Sequence, residues 1–372
     1  MSTTHVFIVD NITFKYHLEY LFVGTGSGDD DVNFLNSSKS IHHTTENKLL
    51  AMIADSQRIR KGDFVIFYLQ KNSQSDGKFY GLFKIKSERS FLDHNDDKQY
   101  LYNKLEKSLT FRAFIEPYKV YANGVTEWEA LDEINGIQLP CQMQWSLIYR
   151  KLKGNRGNTM ITINESDRLV KLIENKNNKK TIPGSCFTFD KDNQSIILSS
   201  SVNEYKGRRE PINILHRLNY KYNKRNKFES HLQAYIVQNV EKIGIFNNDK
   251  IEWLGNEVSC GVGMQRIDVM LSIAGENRKV VPIELKSDIV YHNITVQLQR
   301  YIDWLEQYYI PNRASEIEPM IISMEYPDKS GSSYKDFITN LNSFNKKNKI
   351  LKTRYVEFSI KNKSIIFNQV DY

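Results

Sequence analysis

The stretch "RKVVPIELKSD", residues 278–288, sets a glutamate and a lysine at the end of an apolar run with one residue between them. Strand side chains alternate between faces, so Glu284 and Lys286 project together while Val281, Ile283 and Leu285 take the other side. A strand leaving the core and meeting water explains this blandly. A carboxylate and an ammonium presented together for chemistry explain it more sharply. A second acidic residue bears on the choice. In "MQRIDVMLSI" upstream, Ile267, Val269 and Leu271 share one face, and Arg266, Asp268 and Met270 share the other. If the two strands are neighbours, Asp268 approaches Glu284 and Lys286. Two carboxylates aimed at one point hold a hard divalent cation through oxygen, Mg²⁺ foremost with Mn²⁺ as a substitute. Such an ion polarises a phosphoryl oxygen and lowers the pKa of a bound water. A lysine beside it stabilises developing negative charge or orients the water.

Around these strands, "KFESHLQAYIVQNVEKI" and "NITVQLQRYIDWLEQYY" read as amphipathic helices, giving a helix–strand–strand–helix α/β unit. The order "RID", fifteen residues, then "ELK" resembles the PD-(D/E)xK nuclease motif. Together "IEWLGNEVSCGVGMQRIDVML", "VVPIELKSD" and "TVQLQRYIDWL" resemble the C-terminal nuclease domain of the NucS family, over roughly residues 228–310. That resemblance implies a restriction-endonuclease-like α/β core with Asp268 and Glu284 as metal carboxylates and Lys286 as the catalytic lysine. It extends catalytic roles to Glu229 in "KFESHLQAYI" and to Gln297 and Tyr301, which lie four residues apart on one helix face. Arg300 lies beside that face and is expected to meet a phosphate. Pro282 departs from a plain strand, because proline cannot donate in the middle of a sheet. A strand start or a bulge at Pro282 still leaves Glu284 and Lys286 projecting together.

The composition suits such an enzyme. The 372 residues allow two or three domains, and 40% hydrophobic with 12% aromatic residues supply real cores. A net charge of +7 suits a polyanionic partner. Three scattered cysteines, Cys141, Cys186 and Cys260, show no CxxC spacing, so neither a disulfide framework nor a thiolate zinc site is indicated. The start "MSTTHVFIVDNITFKYH" lacks a signal-peptide pattern and no apolar run reaches membrane length. A soluble, cytoplasmic protein is expected.

The first half reads differently. "HVFIVD", "GDFVIFYLQ", "GKFYGLFKIKSE" and "LTFRAFIEPYKVY" are short aromatic and β-branched runs between polar turns. "TENKLLAMIADSQRI" has helical spacing, as does "NESDRLVKLIENK" after a capping-like Asn164. A curved sheet or barrel with a few helices follows. The order of these elements, ending in "MQWSLIYRKLKGNRGNTMITINESDRLVKLI", resembles the PUA-like group that includes EVE and YTH domains. The resemblance implies a domain that takes a flipped, often modified, base into an aromatic pocket. Trp145 is the candidate wall of that pocket, its alternative being a core tryptophan. Arg150, Lys151, Lys153 and Arg156 are candidate phosphate contacts on a glycine-bearing loop. Trp128 reads as a packing residue at a helix start. "GTGSGDDD", 24–31, lacks a phosphate-loop ending, and its aspartates repel phosphate. His42 and His43 have no further ligand partners in the sequence and are assigned no metal.

Between the halves, residues 174–214 are polar and broken by Pro and Gly, with a hairpin suggested by "SCFTFDKDNQSIILSSS". The basic segment "YKYNKRNK", 220–227, offers Lys221, Lys224 and Arg225 to a phosphate backbone. The expected protein is a two-domain α+β or α/β chain. Residues 1–173 form the PUA-like base reader, 174–214 a linker, and 215–372 the nuclease domain. Its expected activity is Mg²⁺-dependent DNA endonuclease cleavage of restriction type, reading a specific or modified base. Cutting both strands with one site per chain implies a homodimer. The competing readings are a NucS-like repair nuclease for mismatched or branched DNA, and a nucleic-acid binder without catalysis.

Overall fold

Alternation in the apolar runs of the first half builds a sheet buried on both faces. In β3 (Phe64–Leu69), Val65, Phe67 and Leu69 enter one core with Phe7, Val9 and Phe83, while Ile66 and Tyr68 enter another with Val6, Phe79 and Leu82. A computed structural model shows this. It describes residues 2–26, 34–35, 38, 40–73, 75–94, 99–150, 152, 157–201, 203–247, 249–261, 265–275, 278–291 and 293–372. The fold is mixed α+β in two units: Met1–Val32 with Asp55–Ile212, and Asn33–Ala54 with Asn213–Tyr372.

In chain order the first unit contains β1 (Thr4–Val9), α1 (Asn11–Tyr20), β2 (Phe22–Thr25), the end of α2 (His43–Gln57), β3, β4 (Lys78–Ile85), β5 (Phe91–Leu92), α3 (Tyr102–Leu105) and β6 (Phe111–Pro117). It continues through β7 (Val125–Thr126), α4 (Glu127–Leu131), α5 (Trp145–Arg150), β8 (Asn158–Ile161), α6 (Ile163–Lys176), β9 (Phe187–Asp190), β10 (Ser195–Leu198) and β11 (Glu210–Pro211). Its main sheet runs β11-β5-β6-β4-β3-β1-β8, with β2 added to β6 and β7 to β4. A register shift between Val65 and Phe67 bends the β3/β4 pair, as an extra residue in one strand does. Asp10 caps α1 in a reciprocal box with Thr13. The cap of α6 is Thr162 rather than Asn164. The S/T-x-x-E pattern is satisfied by Glu165, so the helix starts at Ile163.

The expected linker is corrected. Residues 174–212 belong to the first unit, and the β9/β10 hairpin places Phe187, Phe189 and Ile196 in the core beside Phe14 and Tyr80. Polar turns around three apolar residues gave the segment its linker composition. A second correction lies at 33–54, which the contacts assign to the second unit although it sits in the first half of the chain.

The second unit contains the start of α2, then α7 (Leu215–Asn223), α8 (Glu229–Asn239), β12 (Lys250–Ser259), β13 (Arg266–Ala274), β14 (Lys279–Leu285) and α9 (Ile294–Trp304). After these come β15 (Met320–Met324), α10 (Ser332–Lys347), β16 (Arg354–Lys361) and β17 (Ser364–Val370). One six-stranded sheet runs β12 to β17 in chain order. Neighbours are antiparallel except β14/β15 and β15/β16, whose parallel pairing uses α9 and α10 as crossovers. The strand β12, absent from the sequence reading, makes the leading unit helix–strand–strand–strand–helix. Val269, Leu271, Val281, Ile283 and Leu285 pack against Leu232 and Ile236 of α8 on one face of the sheet.

Pro282 sits inside β14, at neither a strand start nor a bulge, opposite Met270. On its other side the ladder lapses between the Val280↔Ile317 bridge and the Ile283↔Met320 pair, a gap holding Pro282 on one strand and Pro319 near its counterpart. The missing donor therefore falls where the ladder has no bond to make. Among the described residues no helix is long and apolar enough to cross a membrane.

Candidate active site

The apolar face of β13 and β14 fixes the direction of the residues between. With Val269 paired to Ile283 as the last pair of the β13/β14 ladder, Asp268 and Glu284 lie one step beyond it, on the face turned from α8's apolar core. Leu285 N donates to Asp268 Oδ2 at 2.8 Å, which ties the aspartate to the end of the neighbouring strand. Lys286 Nζ donates to Glu284 Oε1 at 2.5 Å, and its backbone N donates to the Ile322 carbonyl at 2.9 Å. The Tyr301 hydroxyl lies 2.6 Å from Glu284 Oε2 and 2.9 Å from the Arg266 carbonyl, and it accepts from Gln297 Nε2 at 2.9 Å. Asp268, Glu284, Lys286, Gln297 and Tyr301 are thus brought together. Glu229, in the first turn of α8, is near enough that its charge raises both carboxyl pKa values.

The electrostatics are those of too much negative charge in too little water. Burial first, then the Glu284 charge, pushes the Asp268 carboxyl well above its ordinary value of 3.8. Burial also raises Glu284, although Lys286 and the Tyr301 bond hold it down in part. Lys286 is lowered by burial but raised further by Glu284, and the net direction is up, so it stays an ammonium. Burial and both carboxylates keep the Tyr301 phenol protonated and donating. Three acids therefore share one local lysine, a charge set that a divalent cation completes. Among the described residues no three His, Cys, Asp or Glu side chains form a ready metal cage. Asp268 and Glu284 fit the other arrangement, in which Mg²⁺ takes one or two carboxylates and fills its remaining positions with water and substrate oxygen.

Several supporting residues escaped the sequence reading. Gln233 Nε2 donates to the Asp268 carbonyl at 2.8 Å and to Glu257 Oε1 at 3.1 Å, and Arg266 donates to Glu257 Oε2 at 2.9 Å. Gln233 follows Glu229 by four residues on one helix face, a signal that was available. Glu257 carries a left-handed φ of 51° inside β12, which no sequence pattern announces. Cys260 is buried beside the pair, its thiol pushed up to about 12 by burial, Glu284 and Asp268. Glu46 gathers Arg217 Nε at 2.8 Å, His231 Nε2 at 3.0 Å and Lys221, all within the second unit.

The nucleic-acid candidates divide. Lys224, Arg225 and Arg300 are exposed. Lys221 is corrected: its ammonium is bound to buried Glu46 and only 13% exposed, at the end of α7 rather than in a linker. Arg150 is likewise committed, 8% exposed and 3.5 Å from Asp55. Trp145 is half-buried rather than a core residue. Its indole donates to the Pro140 carbonyl at 2.8 Å and its ring stacks on Tyr149 at 5.5 Å. Trp128, expected to pack, is 54% exposed. Lys151, Lys153, Arg156 and residues 27–31 of the glycine–aspartate stretch lie outside the described residues.

No family model and no curated protein matches the chain. Similar solved structures include a hypothetical protein from Leishmania major, at 9% identity and a TM-score of 0.30, covering 47% of this chain and 97% of that one. A protein from Pseudomonas syringae follows at 14% identity and 0.26, covering 45% and 98%. Human THYN1 in complex with DNA containing 5-methylcytosine has 10% identity and 0.27, covering 46% and 98%. Overlap this low decides neither fold nor ligand.

Proposed function

We propose that the chain is a metal-dependent endodeoxyribonuclease of restriction type, with the cutting centre in the second unit and base reading in the first. One observation carries the catalytic half: Asp268, Glu284 and Lys286 meet at the end of two paired strands, with both carboxyls raised by burial, Asp268 further by the Glu284 charge and Glu284 by Glu229. A divalent cation on Asp268 and Glu284, Mg²⁺ or Mn²⁺, supplies polarisation of a phosphoryl oxygen and a bound water of lowered pKa. The protein's own groups do the rest. Lys286 brings a fixed positive charge to the phosphate as negative charge develops there. Tyr301 and Gln297 are positioning residues that hold Glu284 in one orientation. In the hydrolysis, a water oxygen joins phosphorus, the bond to the leaving sugar oxygen breaks, and that oxygen takes up a proton. A homodimer supplies the second site for the second strand.

The test is digestion of a matched DNA panel, plain, methylated, hydroxymethylated, mismatched and branched, with Mg²⁺ present. Asp268→Ala, Glu284→Ala and Lys286→Ala are each expected to lower cleavage by about 100-fold or more while DNA binding persists. Chelation should stop cutting, and Mg²⁺ or Mn²⁺ should restore it. Wild-type cutting by any of the three variants, or in chelator, removes the assignment. A preference for mismatched or branched DNA over methylated DNA replaces restriction by repair.

A further inference from the structure

We propose that β17 pairs antiparallel with β17 of a second copy of the chain, joining two six-stranded sheets into one across a twofold axis. The inference rests on the nuclease reading for its reason, since one site per chain leaves the second strand of a duplex to a second copy. It names the surface that brings that copy in.

The sheet of the second unit ends in β12 on one side and β17 on the other, and the two edges differ. β12 has a register shift between Ile251 and Trp253, carries Lys250, Glu252 and Glu257, and turns left-handed at Glu257 with a φ of 51°. Irregularities and charges of this kind keep a strand edge from pairing with another chain. β17 has none of them. Its sequence, SIIFNQV, holds no charge, proline or glycine, and it runs in unbroken one-to-one register against β16. Among the described residues β16 is its one strand partner, and Ser364, Ile366, Asn368 and Gln369 are exposed. A flat, uncharged edge like this is an aggregation hazard unless a specific partner takes it.

The ends of the strand identify the partner. β17 is seven residues long and centred on Phe367. Antiparallel self-pairing about that centre sets Ser364 against Val370, Ile365 against Gln369, Ile366 against Asn368 and Phe367 against its own copy. One step beyond the ladder, Lys363 of each copy then meets Asp371 of the other. Both residues are exposed, and neither forms an ion pair among the described residues. The pairing therefore sets opposite charges together at both ends and no like charges between them. Phe367, half-buried against Tyr235 at 6.5 Å, gains an aromatic neighbour across the axis. A register shifted by one or two residues separates the charges. Two copies that each carry a net charge of +7 repel one another in general, so an uncharged strand with complementary ends is where they can meet.

The experiment uses the full chain and reads mass by sedimentation equilibrium beside cleavage of supercoiled plasmid with Mg²⁺. Wild type is expected to be a dimer that linearises the plasmid. Ile366→Lys combined with Asn368→Lys sets lysines opposite each other at two places across the axis, on the exposed side of the strand. That variant is expected to be monomeric where wild type is dimeric, to melt as wild type does, and to nick the plasmid without linearising it. Lys363→Asp and Asp371→Lys, each alone, should weaken the dimer about 5- to 100-fold. An equimolar mixture of the two restores opposite charges at both ends and should recover wild-type association. A monomeric wild type that makes double-strand breaks, a lysine variant that stays dimeric, or a mixture no tighter than either single variant overturns the interface and leaves the nuclease reading in place. A dimer that the lysines disrupt, formed by a chain that never cuts DNA, upholds the interface and overturns the nuclease reading.

Discussion

Asp268 works against its own fold at neutral pH. Its pKa is raised in the native state, so the native protein holds the proton more tightly than the unfolded chain. The group therefore favours folding below about its ordinary value of 3.8 and penalises folding increasingly as pH rises above that value. Asp268→Asn keeps an oxygen to accept from Leu285 N and removes the charge. We expect the variant to be more stable than wild type at pH 7 to 8, with the gain vanishing at acid pH. Added Mg²⁺ should raise the wild-type melting temperature at pH 8 and leave Asp268→Asn nearly unmoved. Thermal melts across pH, with and without the ion, check both statements. A variant no more stable than wild type at any pH removes the argument from burial. Asp268, Glu284 and Lys286 were legible in the sequence because a strand has period two. The aid of Gln233, Arg266 and Glu257 was not, since it depends on α8 and β12 arriving beside β13.

At the scale of elements, one buried carboxylate ties three helices. Glu46 of α2 accepts from Arg217 of α7 and His231 of α8, with Lys221 completing the set. Burial works against the Glu46 charge, but its three partners outweigh that and hold its carboxyl well below the ordinary range. Stability from this group is thus fully present above about its ordinary value of 4.5 and is lost progressively as pH falls below it. Glu46→Gln leaves the fully buried Arg217 without its anion and should cost about 3–5 kcal/mol. Urea unfolding, followed with a probe in the second unit, is the check. A loss below about 1 kcal/mol means the cations relax to water instead. α8 also carries Glu229 and Gln233, so the same variant should lower cleavage at temperatures where the protein remains folded. In the sequence, Glu46 was one helix charge among many, and "YKYNKRNK" looked like a free basic run. Only the helix packing shows that Lys221 is already paired.

At the scale of the whole molecule, the second unit is discontinuous in sequence. A fragment of residues 213–372 lacks 33–54, and with it Glu46 and buried Leu49, Leu50 and Ile53. We expect this fragment to be poorly folded alone and to gain cooperative unfolding when a peptide of residues 33–54 is added. Circular dichroism melts of fragment and mixture decide it, and a fully cooperative lone fragment contradicts the division. The sequence by itself determined the mixed α+β character, a change of architecture near residue 215 and the strand faces that carry Asp268, Glu284 and Lys286. Those features follow from local periodicity and turn chemistry, which a short window contains. Tertiary structure alone decided that the 187–198 hairpin completes the first unit's core and that 33–54 belongs to the second unit. It also decided that Pro282 fits a central strand and that Arg150 and Lys221 are engaged with buried carboxylates. The physical reason is that burial and charge pairing are properties of neighbours in space, and those neighbours stand 95 residues apart for Arg150 and Asp55 and 175 apart for Lys221 and Glu46.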